Sequence, residues 1–289
     1  MSTHPASPIR PITAPELAAR KRRGERLAML TAHDAPTARA LDEAGIDVIL
    51  VGDSLGMAVL GFPTTLPVTM DQMIHHTAAA ARGTARALLV ADMPFLSYQA
   101  SPEDAVRNAG RFVQEGGAAA VKVEGGRRRL AAIRAVLDAD IPVMGHLGLT
   151  PQAIHRMGGY RVQGKTPEAA HELMEDARAL ADAGVFALVL EGIPSELARA
   201  VTREVSCPTF GIGAGPHCDG QVLVFYDLLG LTAGPVPRFV RRYADLGAEM
   251  RAAAGRFRAD VLRGDFPADA ETYPSPAGFA EEIRVRFGC

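Results

Sequence analysis

Four apolar runs in this chain of 289 residues close on a carboxylate: "VILVGD" on Asp53, "LLVAD" on Asp92, "AVKVE" on Glu124 and "FALVLE" on Glu191. Continuous aliphatic runs of this length read as strands covered on both faces, and an acid at the end of such a strand sits at the rim of a sheet. The acids are 39, 32 and 67 residues apart (53 to 92, 92 to 124, 124 to 191), so only the fold can gather them. Carboxylates brought together repel and raise one another's pKa, and the usual relief is a divalent cation. An all-oxygen donor set, with no Cys pair and no H-E-x-x-H, points to Mg²⁺ or a similarly hard ion rather than zinc. A 2-keto acid chelated to such an ion has its adjacent C–H acidified, because the metal stabilises the enolate. Taken singly, each acid reads rather as the cap of the helix after its strand. That is the reading for Asp34 in "TAHDAPTARA"; four strand-end acids together favour a site.

Other polar residues stand at the same ends. Lys122 lies two positions before Glu124, so on a strand both face the same side. A lysine pointing into a sheet core is costly unless it meets carboxylates or an anionic substrate. His146 closes "IPVMGH" and reads either as a core histidine or as part of the site. His75 and His76 fall in a helical context and read as surface or packing residues. "GIGAGPHCDG" (211–220) follows a strand, but Pro216 breaks the G-x-G-x-x-G fingerprint and no G-K-[ST] follows. It reads as a tight turn that brings backbone close to a ligand.

The elements that must position these residues alternate along the chain. Strands are predicted at 26–32, 47–52, 87–91, 119–124, 141–146, 186–191 and 207–213, with an eighth somewhere in 221–231. Between them lie helix signals: Ser101 and Pro102 open one helix before Gly116 and Gly117, and Thr166 and Pro167 open another before Gly184. Serial βα units without a linker predict a single-domain (β/α)8 TIM barrel, with an N-terminal helix and a C-terminal helical tail, over an open doubly wound sheet. Residues 1–12, rich in Pro and Ser, read as a flexible arm, 13–268 as the barrel and 269–289 as a tail. Thr13 and Glu16 read as a capping box, and a further helix is predicted in the segment from 238 to 264.

The composition, 48% hydrophobic and 22% charged with net charge −2, is globular and gives no electrostatic reason to expect nucleic acid or an anionic membrane as partner. The basic run "KRRGER" (21–26) reads as a solvated helix face. With no apolar stretch of about 20 residues and no signal-type start, the expected location is cytoplasmic. Cys207, Cys218 and Cys289 show no C-x-x-C spacing and read as plain thiols.

The ordered motifs "ILVGDSLGM", "TTLPVT", "LLVADMPF", "VKVEGG", "GHLGLTPQ", "GGYRVQG", "LVLEGIP" and "GIGAGPHCDGQVLV", spanning about residues 14–268, resemble the ketopantoate hydroxymethyltransferase family. The resemblance implies a barrel of the phosphoenolpyruvate and pyruvate superfamily, acting in pantothenate biosynthesis. It moves a one-carbon unit from methylenetetrahydrofolate onto 3-methyl-2-oxobutanoate to give 2-dehydropantoate. Carried over by motif, Asp53, Asp92 and Glu124 form the Mg²⁺ site, partly through water. Asp53, Ser54, Asp92 and Lys122 contact the keto acid, Glu191 is the general base, and His146 belongs to the substrate site. The family assembles as homo-oligomers, commonly decamers. This chain departs from the family pattern at His33, where Tyr is common, at Phe62 and Pro63, and at Tyr226, where His or Gln often stands. Two rival readings are a carbon–carbon lyase of the same superfamily, whose Lys-Lys-Cys-Gly-His loop this sequence lacks, and a barrel that binds without catalysis.

Overall fold

The structure, a computed structural model, describes residues 10–232, 234 and 236–288. Eight strands, β1 (Leu27–Thr31), β2 (Val48–Val51), β3 (Leu88–Asp92), β4 (Ala120–Glu124), β5 (Val143–Gly148), β6 (Ala187–Glu191), β7 (Thr209–Ile212) and β8 (Gly220–Leu223), close into a barrel in sequence order. Every neighbouring pair is parallel, including β1 with β8. The predicted (β/α)8 architecture is therefore the one observed. Its eighth strand starts one residue before the window that the sequence suggested.

The two-residue period of a strand sorts the apolar residues into two cores. One core fills the barrel with Leu27, Met29, Val48, Leu50, Leu88, Val90, Met144, Val189 and Phe210, and the N-terminal segment adds Ile12 and Leu17 to it. The other lies between strands and helices, where Ile49, Val51, Leu89, Val121, Val123 and Leu188 meet Leu41, Phe112, Leu180 and Val201. Both strand faces are buried, which is why the strands read as unbroken apolar runs.

Helix starts follow local capping chemistry. Asp34, Ser101 and Thr166 accept the amides of Thr37, Asp104 and Ala169, and Thr69 with Gln72 forms a full capping box. The capping box expected at Thr13 does not form, although the helix Ala14–Arg22 starts there. Glu16 instead lies 2.8 Å from Arg23 and 3.6 Å from Arg20, so its carboxylate is taken by cations. The basic run is not simply solvated either. Lys21 Nζ donates to the carbonyls of Thr202 and Cys207 and pairs with Asp219 at 3.1 Å, and Arg26 donates to the carbonyl of Cys218.

Of the expected N-terminal arm, residues 1–9 lie outside the described residues. Ile12 is buried, and its amide donates to the Arg86 carbonyl. The chain divides into two compact units, residues 1–228 with 232–241, and 229–231 with 242–289. The second unit contains the helix Leu246–Arg263, capped by the Asp245 side chain and ended by Gly264 at φ +76°, and the helix Phe279–Phe287. Residues 238–245, included in the predicted helical segment, are not helical because Asp245 binds the Ala248 amide and sets the helix start. Among the described residues, no helix is long and apolar enough to cross a membrane. Cys207 and Cys218 are free and buried, and Cys289 lies outside the described residues.

Candidate active site

Inward-facing positions of the strands change character as the chain reaches the C-terminal rim. Along β3 the column runs Leu88, Val90, Asp92; along β4 Ala120, Lys122, Glu124; along β5 Met144, His146; along β6 Ala187, Val189, Glu191. Strand register then pairs Asp92 with Lys122 and Glu124 with His146. The predicted site residues thus meet in one layer, where barrels of this kind carry their chemistry. None of the four acids caps the helix that follows its own strand.

Asp53 follows β2 by two residues. Its amide donates to Asp92 Oδ2 at 3.0 Å. That closeness depends on Gly52, since a Cβ there would fall 2.8 Å from Ser54 Oγ and 3.4 Å from Asp92 Oδ2. Lys122 Nζ lies 2.7 Å from Asp92 Oδ1 and 3.2 Å from His146 Nδ1. His146 stands between two acids, with Nδ1 at 3.4 Å from Glu124 Oε1 and Nε2 at 3.2 Å from Glu191 Oε2. The second contact is an ion-pair distance without a well-aligned N–H···O bond. Gly148 closes β5 at φ +92°, and a Cβ there would fall 2.2 Å from the Glu191 carbonyl oxygen. A side chain at 148 would displace the end of β6.

Asp53, Asp92, Lys122, Glu124 and His146 are all buried, so charge must balance locally. Burial pushes Asp53 well above the usual carboxylate range, and Asp92 and Glu124 push it further. Asp92 is also raised by burial, against the opposing pull of Lys122. Burial alone would raise Glu124, yet the His146 hydrogen bond and the Lys122 charge bring it below the ordinary value. Burial opposes the Lys122 ammonium, but Asp92, Glu124 and Asp53 together hold it above its ordinary value. His146 loses to burial and to Lys122 but gains more from Glu124 and Glu191, and its pKa is pushed up to about 9. The two carboxylates thus favour the charged ring, while the Lys122 ammonium, 3.2 Å from Nδ1, opposes it.

Fully ionised, the site holds four carboxylates against two cations, an excess of two negative charges. That deficit fits a divalent ion. Among the described residues, no three His, Cys, Asp or Glu side chains converge closely enough to enclose an ion by themselves. The donor set suits a hard ion held by one or two carboxylates and otherwise by water and substrate oxygens, which is the ordinary habit of Mg²⁺.

Three contributors had no role in the sequence reading. Gln152, on the turn after β5, gives its amide to Glu124 Oε2 at 3.0 Å and its Nε2 to Asp53 Oδ2 and the Met93 carbonyl, each at 2.9 Å. Buried Tyr98 donates to Gln152 Oε1 at 2.7 Å. Thr65, with Ser54, has a buried hydroxyl without a hydrogen-bond partner at the cavity wall. Gln152 lies inside the quoted "GLTPQ", but nothing in its spacing singles it out.

Asp53, Asp92, Lys122, Glu124, His146 and Glu191 form the floor of a cavity of about 450 Å³, whose walls include Leu50, Val189, Ile212 and Val222. Gly213, in the turn read as a close approach to a ligand, also lines it.

Two departures from the family pattern touch. His33 lies beside Tyr226, with ring centroids 6.0 Å apart. His33 is fully buried, with neither ring nitrogen partnered, and only its carbonyl is engaged, by His76 Nδ1 at 2.7 Å. Burial, with His76 adding to it, pushes the imidazole down to about 4. The folded state therefore favours neutral His33 below the unfolded value of 6.5. It carries no proton-linked cost above pH 6.5, but as pH falls from 6.5 toward 4 the unfolded chain takes up this proton first and stability drops, by at most about 1.4 kcal/mol per pH unit. Urea unfolding across this range is expected to show a shallower acid dependence for His33→Gln than for wild type; parallel curves would refute the effect.

Residues 11–269 match the family model described as ketopantoate hydroxymethyltransferase. A protein from Koribacter versatilis (strain Ellin345), named 3-methyl-2-oxobutanoate hydroxymethyltransferase, is 56% identical over 265 residues, covering 92% of this chain and 90% of that protein. One of the same name from Syntrophomonas wolfei subsp. wolfei is 56% identical over 262 residues, 91% and 95% of the two chains. Among solved structures, 2,3-dimethylmalate lyase, a member of the PEP mutase/isocitrate lyase superfamily, superposes with TM-score 0.58 at 20% identity, covering 95% of this chain and 94% of its own. Phosphoenolpyruvate phosphomutase from Streptomyces platensis subsp. rosaceus gives 0.56 at 17% identity, with 94% and 99% covered. These two likenesses concern the fold alone.

Proposed function

We propose, from the premise that this chain belongs to the ketopantoate hydroxymethyltransferase family, that it transfers a hydroxymethyl group from methylenetetrahydrofolate to 3-methyl-2-oxobutanoate. The product is 2-dehydropantoate, and the chain is a hydroxymethyltransferase of pantothenate biosynthesis. The observation that carries this reading is the buried layer in which Glu191 Oε2 stands 3.2 Å from His146 Nε2, beside the Lys122–Asp92 pair.

Asp53, Asp92 and Glu124 are the residues that would hold Mg²⁺, directly or through water, and the ion supplies Lewis acidity that makes the C3–H of a 2-keto acid removable. Lys122 and the unpartnered Ser54 hydroxyl offer donors to the oxygens of the keto acid. Glu191 takes the C3 proton, and His146, with Nε2 3.2 Å from Oε2, fixes the direction of that carboxylate. Water adds to the folate methylene carbon and both of its C–N bonds break, which frees tetrahydrofolate and leaves the carbon at the formaldehyde level. The enolate carbon bonds to that carbon, and the new alkoxide takes the proton held by Glu191. Apolar walls keep bulk water from the carbanion. The same reading carries a cytoplasmic location and a homo-oligomeric, decameric assembly.

Proton NMR in D2O tests it, following 3-methyl-2-oxobutanoate with enzyme, Mg²⁺ and methylenetetrahydrofolate and with an EDTA control. Formation of 2-dehydropantoate that EDTA abolishes is the expected result. Loss of the C3 proton signal without product would reject the folate donor, and no change at all would reject the activity.

A further inference from the structure

A five-carbon keto acid held at the charged floor would leave the rest of the cavity free. The full volume, about 450 Å³, lies in the roughly 300–1,000 Å³ range that takes ligands of drug size. The remaining space has its own chemistry. Ile212, Gly213, Val222, Val224 and Phe239 give it an apolar wall, and Arg161 and Arg238 line it from two separate segments.

Phe239 is held by its neighbour. A Cβ at Gly213 would fall 2.7, 3.1 and 3.2 Å from three atoms of the Phe239 ring, so the ring packs against bare backbone at a position with φ +61°. Phe239 is 39% exposed, in the cavity wall, and has area left to stack on a flat ligand. Neither guanidinium, at Arg161 or Arg238, has a hydrogen-bond or ion-pair partner among the described residues. Asp227 also lines this space, and one of its oxygens accepts the Thr232 hydroxyl. Its other oxygen is an acceptor for N–H groups.

A ligand that uses all of these features is flat and aromatic, carries N–H donors, and ends in carboxylates. We infer that Phe239, Arg161 and Arg238 form the subsite for the one-carbon donor, with Phe239 stacking on the ring system and the arginines meeting the glutamate tail. Asp227 faces the N–H edge of the pteridine. This assignment rests on the folate-dependent reading above and adds where the folate lies. The requirement for Gly at 213 follows from it, since any side chain there would push Phe239 out of the wall.

The test is steady-state kinetics of the full-length enzyme with the mono- and triglutamate forms of methylenetetrahydrofolate, for wild type, Phe239→Ala and the double variant Arg161→Gln/Arg238→Gln. A thermal melt checks folding, and Phe239→Leu is a second variant that keeps apolar bulk without an aromatic face. Phe239→Ala is expected to raise KM for both folates about 10-fold, with the keto-acid KM changing less than about twofold. Phe239→Leu should fall between wild type and Ala. The arginine variant should raise KM more for the triglutamate than for the monoglutamate. Unchanged folate KM values, or equal rises in both substrates' KM, would overturn the subsite. A wild-type enzyme that exchanges the C3 proton but forms no product with either folate would overturn the donor reading itself, and the subsite with it.

Discussion

Glu191→Gln is expected to slow C3 proton exchange of 3-methyl-2-oxobutanoate by roughly 10²–10⁴-fold, the usual worth of a positioned general base. Keto-acid affinity should change little. The amide keeps the size of the side chain and can turn its carbonyl oxygen toward His146, 3.2 Å away in wild type. What it cannot do is hold a proton taken from carbon. Glu191→Asp separates charge from reach: the carboxylate stays but retreats by one methylene, and the exchange rate should fall between the two, because misplacement of about 1 Å costs roughly 10²-fold. Deuterium exchange followed by NMR, together with a binding isotherm for the keto acid, gives both quantities on each variant. Exchange at the wild-type rate in Glu191→Gln would remove the base from Glu191, and Lys122, near the same substrate oxygens, would be the next group to test. Equal losses in exchange and affinity would instead make Glu191 a binding residue.

The strand-end acids were legible because a parallel barrel imposes two simple rules. Its strands are buried on both faces, so they appear as aliphatic runs, and all of them end at one rim. A polar residue closing such a run therefore has one place to be, and the two-residue period sends Lys122 and Glu124 inward together. β8 was harder to place because it is four residues long with Gln221 exposed, and the apolar letters that follow it belong to the short helix Phe225–Leu228. Gln152 was not legible. Its contact with Asp53 spans 99 residues and depends on how a turn lies over the floor, which no local pattern encodes. The cap expected at Thr13 shows the opposite limit, a correct local signature whose acid found stronger partners in Arg20 and Arg23.

Lys122→Met is expected to be the most destabilising single change in the site. The ammonium is 2.7 Å from Asp92 Oδ1 and almost fully buried. Its removal leaves the buried carboxylates without the cation that pairs with Asp92. Breaking a buried pair from one side typically costs about 3–5 kcal/mol, because the partner charge stays desolvated and unmatched. Methionine nearly conserves the volume, so the loss reflects charge rather than a cavity. The double variant Lys122→Met/Asp92→Asn removes both charges and should recover a large part of that stability, since the uncompensated partner is gone. Both variants should be inactive, which makes stability the informative readout. Urea unfolding of wild type, Lys122→Met, Asp92→Asn and the double variant closes the thermodynamic cycle. A coupling energy of about 1–3 kcal/mol would mark the pair as the charge balance of the floor. A Lys122→Met protein as stable as wild type would mean that the carboxylates are balanced by something other than this lysine.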